Sequence, residues 1–510
     1  MLRRDFIKLT AAGLLTSANL SLANAEKNST CHKPNILLIV ADDLGHGDLS
    51  CFAQDGMLSP QEKKSGHKLP SINTPNIDAI AADGIKLTDF YANGPVCSPT
   101  RTALMTGRYQ HRSGVVNVLG QTGNAYAEVY PEDKKPFAGL DEKELTIAEV
   151  LQTGGYRTAC IGKWHLGPFY LNQGYHPLDY GFDYFVGPSG NAGDNFSMQQ
   201  DGLSYFWRNR KRAKSPGYYF TDVLADEAIC FMKKKSNKPF FVYLPFTAPH
   251  GPLVGPNDKE DANKWDEKGH FRTDFGRAYK EIVEALDKAV GRVMASLKEM
   301  NIEGNTFVMF ISDNGQCGFG RAPFNQHQGK QTVYEGGIRV PAMMKWKGKI
   351  PKGKVISQPL ATMDIFPTLI SVSGCKLPAN AKTLDGIDMT PIFSGKPTGD
   401  NRMLFWEAPY QVWIKYFANR IWAVRQGKWK LMQSHITEPL ELYDLENDPA
   451  EINNIADKNP QIVKEMHKAF QKWFSDVYAD CPYNLEDFIE RLKENGLITK
   501  ESTEEVKEGY

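Results

Sequence analysis

Pro34-Asn35-Ile36-Leu37-Leu38-Ile39-Val40-Ala41-Asp42-Asp43-Leu44-Gly45 is the stretch that sets the architecture. Its unbroken apolar run leaves no polar face for water, so it reads as a strand covered on both sides, as in a parallel sheet. The run ends in two adjacent acids. Ligands of open α/β sheets bind at the carboxyl ends of the strands, so Asp42 and Asp43 mark a candidate site as well as a strand end. Outward from there, Asn73 to Gly84 and Leu145 to Leu151 read as helices. Tyr156 to Ile161, Pro239 to Phe246 and Asn305 to Ser312 read as strands, with a long amphipathic helix over Gly276 to Met300. This alternation predicts an α/β fold, a parallel sheet wrapped by helices.

Beyond about Gly386 the pattern changes. Arg420 to Arg425 and Lys428 to Met432 read as antiparallel strands around a Gln426-Gly427 turn, followed by a strand at Glu441 to Leu445 and a helix from Pro460 to Phe474. A catalytic domain is expected over 26–385 and a smaller α+β domain over 386–510. The first residues, with Arg3-Arg4-Asp5-Phe6-Ile7-Lys8, an apolar core and Ala23-Asn24-Ala25, predict a signal peptide over 1–25 of twin-arginine type. The mature chain would then begin at Glu26 and be exported, periplasmic or secreted. No later stretch is long and apolar enough for stable membrane insertion. The 510 residues carry 60 basic and 60 acidic side chains, which gives no field for nucleic acid. The eight cysteines are scattered, with neither a disulfide framework nor zinc spacing.

Asp313 and Asn314 follow another apolar strand, as Asp42 and Asp43 do. Each pair alone is commonly a turn or a helix cap. Two pairs, each after a buried strand, form a set of oxygen donors without His or Cys, suited to a hard ion, Ca²⁺ or Mg²⁺. Cys97 opens Cys97-Ser98-Pro99-Thr100-Arg101, which reads as the first turn of a helix ending at Gly107. That places a reactive thiol where backbone N–H groups and the helix dipole favour negative charge. Arg101, one turn on, is expected to lean back toward it. A buried structural thiol beside a capping turn is the plain alternative.

The pattern C-x-P-x-R resembles the type I sulfatases of the alkaline-phosphatase superfamily, and so do Gly162-Lys163-Trp164-His165-Leu166-Gly167 and Gly329-Lys330 with Glu335-Gly336-Gly337-Ile338-Arg339-Val340-Pro341. These motifs recur in order from about residue 34 to about residue 450. The resemblance implies a large mixed, mostly parallel sheet flanked by helices with a smaller C-terminal α+β domain. It implies that a formylglycine-generating enzyme oxidises Cys97 to formylglycine, whose hydrated aldehyde is the nucleophile. It places Asp42, Asp43, Asp313 and Asn314 on the metal ligands, with residue 97 completing the shell; calcium is the family's usual ion and magnesium the alternative. Lys163, His165, His250 and Lys330 fall on family positions around the sulfate, and Ser189 on a family serine near it.

In the family scheme Arg101, Lys163 and Lys330 spread the developing charge, and His165 deprotonates the second hydroxyl of residue 97. His250 protonates the leaving alcohol and Lys330 reaches the sulfate. Two residues apart, Lys163 and His165 would share one side of a persisting strand, with Trp164 facing the packing. The implied reaction is hydrolysis of a sulfate ester on a sulfated carbohydrate. Gly329-Lys330-Gln331-Thr332 and His176-Pro177-Leu178 resemble most the arylsulfatase A and N-acetylgalactosamine-6-sulfatase branch, hence a sulfated galactose or N-acetylgalactosamine. The basic and aromatic run Tyr205 to Lys214 reads either as a grip on such a sugar or as a solvated loop. Two other readings compete: a phosphodiesterase or phosphonate hydrolase of the same superfamily, and a non-catalytic sulfoglycan-binding protein.

Overall fold

The apolar run forms a strand, β1 (Asn35–Asp42), with every residue buried. Its side chains alternate between two cores, as the period of a strand requires. Ile36, Leu38 and Val40 enter one cluster, and Leu37, Ile39 and Ala41 enter the other. Each such fully buried Ile or Leu stabilises the fold by about 1.5–3 kcal/mol. The structure, a computed structural model, describes residues 33–53, 71–119, 139–169, 174–190, 196, 199–200, 203–214, 217–258, 275–317, 329–399, 401–409, 420–435 and 438–481. The expected signal peptide over 1–25 lies outside the described residues.

Nine further strands complete the sheet: β2 (Ile85–Leu87), β3 (Arg157–Ile161), β4 (Tyr184–Pro188), β5 (Phe206–Arg208), β6 (Lys211–Arg212), β7 (Phe240–Pro249), β8 (Thr306–Ser312), β9 (Ala342–Lys345) and β10 (Lys354–Ile356). Their spatial order is β10-β2-β9-β8-β1-β7-β3-β4-β5-β6. β1 runs parallel to both β7 and β8, β3 parallel to β7, and β4 parallel to β3. Five neighbouring strands therefore end at one edge. Pairing is antiparallel where β9 and β5 enter, so the sheet is mixed and mostly parallel. Against one face pack α2 (Cys97–Thr106), α3 (Ile147–Thr153) and α6 (Ile365–Ser373). Against the other pack α1 (Pro75–Ala82), α4 (Phe220–Lys233) and α5 (Phe275–Glu299). Among the described residues no helix is long and apolar enough to cross a membrane.

A second, four-stranded antiparallel sheet follows: β11 (Met403–Pro409), β12 (Arg420–Gln426), β13 (Trp429–Gln433) and β14 (Glu441–Asp444), with α7 (Pro460–Ala479) against it. Its cluster includes Tyr91, Ala103 and Tyr109 of the main body. The β12–β13 hairpin closes at Gln426 opposite Trp429, so its turn is Gly427-Lys428, one residue later than the sequence reading. β11 is absent from that reading. Its Trp406 is buried and donates Nε1–H to the Ala92 carbonyl at 2.7 Å.

Gly162 follows β3 with φ 128°, and a Cβ there would stand 1.8 Å from the Pro245 carbonyl oxygen. Gly162→Ala is expected to destabilise the protein by about 2–5 kcal/mol, read as a lowered denaturation midpoint.

Candidate active site

The five aligned strand ends bring the predicted residues to one edge. Asp42 ends β1, with Asp43 next to it, and Asp313 and Asn314 follow β8. Lys163 and His165 follow β3, His250 follows β7, and Ser189 follows β4. Cys97 arrives from α2, where it is the first helical residue after Val96 in the extended N-cap position. Gly107, at φ 67°, caps the other end and donates its N–H to the Ala103 carbonyl at 2.8 Å. All ten residues of α2 are buried.

Cys97 is the meeting point. Its Sγ lies 3.5 Å from Asp42 Oδ1 and 3.4 Å from both Lys163 Nζ and Lys330 Nζ. Burial, reinforced by Asp42 and Asp313, pushes the thiol up to about 12, although the two ammonium groups oppose it. Arg101, expected to lean toward Cys97, instead grips the frame around it. Its Nε and Nη2 donate to Asp313 Oδ2 at 2.9 and 2.7 Å, and Nη1 donates to the Lys163 carbonyl at 2.6 Å.

Burial works to raise the carboxyl of Asp42, but Lys163 Nζ at 2.6 Å, with His250, Arg101 and Lys330, holds it far below the usual carboxylate range. Asp43, with φ 65°, receives Lys330 Nζ at 2.7 Å and Asn314 Nδ2 at 2.7 Å. Burial opposes its ionisation too, and Lys330 and His250 outweigh it. Asp313 is pushed up to about 6 by burial and by the neighbouring Asp42, against the pull of Arg101. Ligand atoms of Asp42, Asp43, Cys97 and His250 all lie within 4.8 Å of one another. Asn314 Oδ1 is buried without a hydrogen-bond partner. Three carboxylates beside an orphaned amide oxygen fit a hard divalent cation.

The two histidines are oriented by carbonyls. His165 Nε2 lies 2.8 Å from the Leu119 carbonyl, leaving Nδ1 buried without a partner. Burial, Lys163 and Arg101 hold its pKa well below the ordinary value. His250 Nδ1 lies 2.6 Å from the Gly251 carbonyl, and its Nε2 faces Asp43 Oδ2 at 3.6 Å. Burial lowers its pKa, with Asp43 and Asp42 pulling the other way.

The sequence reading carried Lys163 and His165 to the site on a persisting strand, and here the structure differs. β3 stops at Ile161, Gly162 and His165 take positive φ, and an irregular loop delivers both side chains. Trp164 packs inward against Tyr180 and Phe182, as expected. Ser189 is buried at the end of β4, separated from β1 by β7 and β3.

The Lys330 loop is laced to both halves of the site. The Lys330 N–H donates to the Gln316 carbonyl at 2.8 Å and the Gln331 N–H to the Pro95 carbonyl at 2.9 Å. Cys317, which the sequence reading passed over, presents its thiol to Asp43, and burial together with that carboxylate pushes it up. Its signal was its place in the loop that carries Asp313. In the basic run, Arg208 pairs with Glu227 and Arg210 with Asp179. The register of β5 on β4 puts the β5–β6 turn, Asn209-Arg210, at the opposite edge from Cys97.

Comparison with known proteins joins these observations. The sequence model of the sulfatase family matches residues 34–375, and that of N-sulphoglucosamine sulphohydrolase, C-terminal, matches residues 325–476. The chain belongs to the sulfatase family. The N-acetylgalactosamine-6-sulfatase of Sus scrofa is 33% identical over 441 residues, covering 82% of this chain and 74% of that enzyme. The structure of Ps i-CgsB in complex with k-i-k-neocarrahexaose aligns with a TM-score of 0.75 at 28% identity, over 92% of this chain and 99% of that one. The phosphonate monoester hydrolase of Agrobacterium radiobacter shares the fold, with a TM-score of 0.61 at 20% identity, over 87% and 96% of the two chains. The sulfatase is a sulfuric ester hydrolase.

Removing one partner of a buried ion pair costs about 3–5 kcal/mol. Arg101→Met, which leaves Asp313 facing Asp42 uncompensated, is expected to destabilise the sulfatase by about that amount in chemical denaturation.

Proposed function

We propose that residue 97 works as formylglycine, made from the Cys97 thiol by a formylglycine-generating enzyme, and that the sulfatase desulfates a galactose or N-acetylgalactosamine unit of a sulfated carbohydrate. The observation that carries this reading is the convergence of Asp42, Lys163 and Lys330 on Cys97 Sγ at 3.4–3.5 Å. A thiol that burial pushes up to about 12 stays protonated near neutral pH. The unmodified side chain is therefore a poor nucleophile where a strong one is required. Formylglycine supplies a hydroxyl nucleophile in its hydrated form, and a second hydroxyl from which the aldehyde is recovered. The names of N-acetylgalactosamine-6-sulfatase and of the k-i-k-neocarrahexaose complex support a sugar substrate.

Asp42, Asp43, Asp313 and Asn314 would hold Ca²⁺, with Mg²⁺ the alternative, and the ion would neutralise sulfate oxygens. Lys163 and Lys330 spread the charge that develops on the transferring group. His250 gives a proton to the leaving alcohol from Nε2, and the negative charge of a bound sulfate favours its protonated form. His165 takes a proton through Nδ1, because Nε2–H is committed to the Leu119 carbonyl. Arg101 holds Asp313 and the loop of Lys163 in register. Ser189 is assigned to the sulfate-binding edge. Residues 1–25 would direct export to the periplasm or beyond, with the catalytic domain at 26–385 and the smaller domain at 386–510.

Mass spectrometry of the peptide bearing residue 97 is expected to find the aldehyde in active protein. Cys97→Ala is expected to lower turnover on sulfated sugars by about 10⁴-fold or more while circular dichroism stays unchanged; an active Cys97→Ala enzyme would reject the mechanism. Exhaustive chelation is expected to cut turnover at least about 10-fold, with Ca²⁺ restoring it better than Mg²⁺. Activity that survives chelation, with no ion found by elemental analysis, would remove the metal from the mechanism.

A further inference from the structure

The loop that carries Lys330 is held from its far side by the antiparallel sheet. Lys430, on β13, is wholly buried, and its Nζ lies 2.9 Å from Glu335 Oε1 and 2.6 Å from Glu451 Oε1. Glu451, in the loop between β14 and α7 and 3% exposed, also accepts the backbone N–H of Glu335 at 2.8 Å. Glu335 in turn accepts from Tyr91 OH at 2.7 Å and pairs with Arg339 at 3.3 Å. Two further links follow the same direction: Tyr334 OH donates to Glu441 of β14 at 2.9 Å, and Arg425 of β12 pairs with Asp89, which Arg339 also grips. Each of these ties fixes a residue between Tyr334 and Arg339, just downstream of Lys330. On the near side the loop is tied by backbone bonds to Gln316 and Pro95, neighbours of Asn314 and Cys97.

We infer that Lys430 is a positioning residue for the hydrolysis: through Glu335 and Glu451 it sets where Lys330 presents its ammonium group to the sulfate. The inference rests on the proposed role of Lys330. Burial makes a lysine costly unless it is paired, and among the described residues this one is paired with two carboxylates that hold the catalytic loop. The antiparallel sheet thereby acts on the reaction without touching the substrate.

The test is a double-mutant cycle on the full chain, with kcat and KM measured on an aryl sulfate. Lys330→Ala alone is expected to lower kcat/KM on the order of 100-fold, and Lys430→Met alone on the order of 10- to 100-fold. In the Lys330→Ala background, Lys430→Met is expected to cost less than about 3-fold more, because there is no longer an ammonium group to misplace. Glu451→Asp keeps the charge and shortens the arm. It is expected to give a smaller loss that also vanishes in the Lys330→Ala background, which keeps the question open to test if Lys430→Met folds poorly. Equal losses from Lys430→Met and Glu451→Asp in both backgrounds would show a general loosening of the pocket and overturn the inference. An unchanged Lys330→Ala enzyme would instead remove the sulfate role of Lys330, and the inference with it.

Discussion

Three carboxylates buried side by side at one sheet edge are the constraint on which the site depends. Asp42, Asp43 and Asp313 are each no more than 1% exposed. A buried carboxylate without a partner costs several kcal/mol, and three together also repel one another. The chain answers with one cation for each: Lys163 for Asp42, Lys330 for Asp43 and Arg101 for Asp313. The answer is incomplete, because Asp313 is still pushed up to about 6. A divalent cation among these oxygens would relieve that crowding. It would also turn a balanced frame into a net positive pocket, the polarity that an anionic sulfate ester requires.

The three cations come from three different places in the chain: α2, the loop after β3 and the loop at 329–341. Charge compensation at the edge therefore fastens together elements that the sheet alone leaves independent. The antiparallel sheet enters the same account at one remove. Its buried lysine and glutamates repeat, on the outer side of the Lys330 loop, the pairing that Lys330 makes with Asp43 on the inner side. A loop gripped by ion pairs on both sides has little freedom to drift.

Much of this was legible in the sequence where local pattern carries the information. The run from Ile36 to Ala41 shows double-sided burial in its composition, and Pro99 with Gly107 brackets α2 by backbone chemistry alone. The convergence of Asp42 with Asp313 followed from two strands with like endings. What stayed hidden depends on distant partners. Arg101 is one helical turn from Cys97, yet its guanidinium follows the stronger field of Asp313, which lies on another strand. His165 reaches the site through a positive-φ loop rather than along a strand, and no period-two argument can foresee that. The basic run around Arg210 looks like an anion grip in composition, but only the register of β5 on β4 shows that its turn faces away.

The fold by itself does not choose the reaction, because a phosphonate monoester hydrolase shares it at 20% identity. The choice falls to residue 97 and its surroundings. A hydroxyl nucleophile that never needs to leave the adduct by its own chemistry would serve with Ser or Thr at the helix start, released by attack of water. Here the position holds a cysteine whose thiol burial keeps neutral, set between two ammonium groups that could serve a charged substrate but scarcely ionise the thiol. On the loop that delivers Lys163 stands His165, with one ring nitrogen buried without a partner and the other held by the Leu119 carbonyl. A buried base held neutral is surplus to simple attack by a thiol, but it suits a nucleophile with a second removable proton. The proposed oxidation at position 97 would account for the cysteine and the histidine together, whereas a thiol that reacts as it stands accounts for neither.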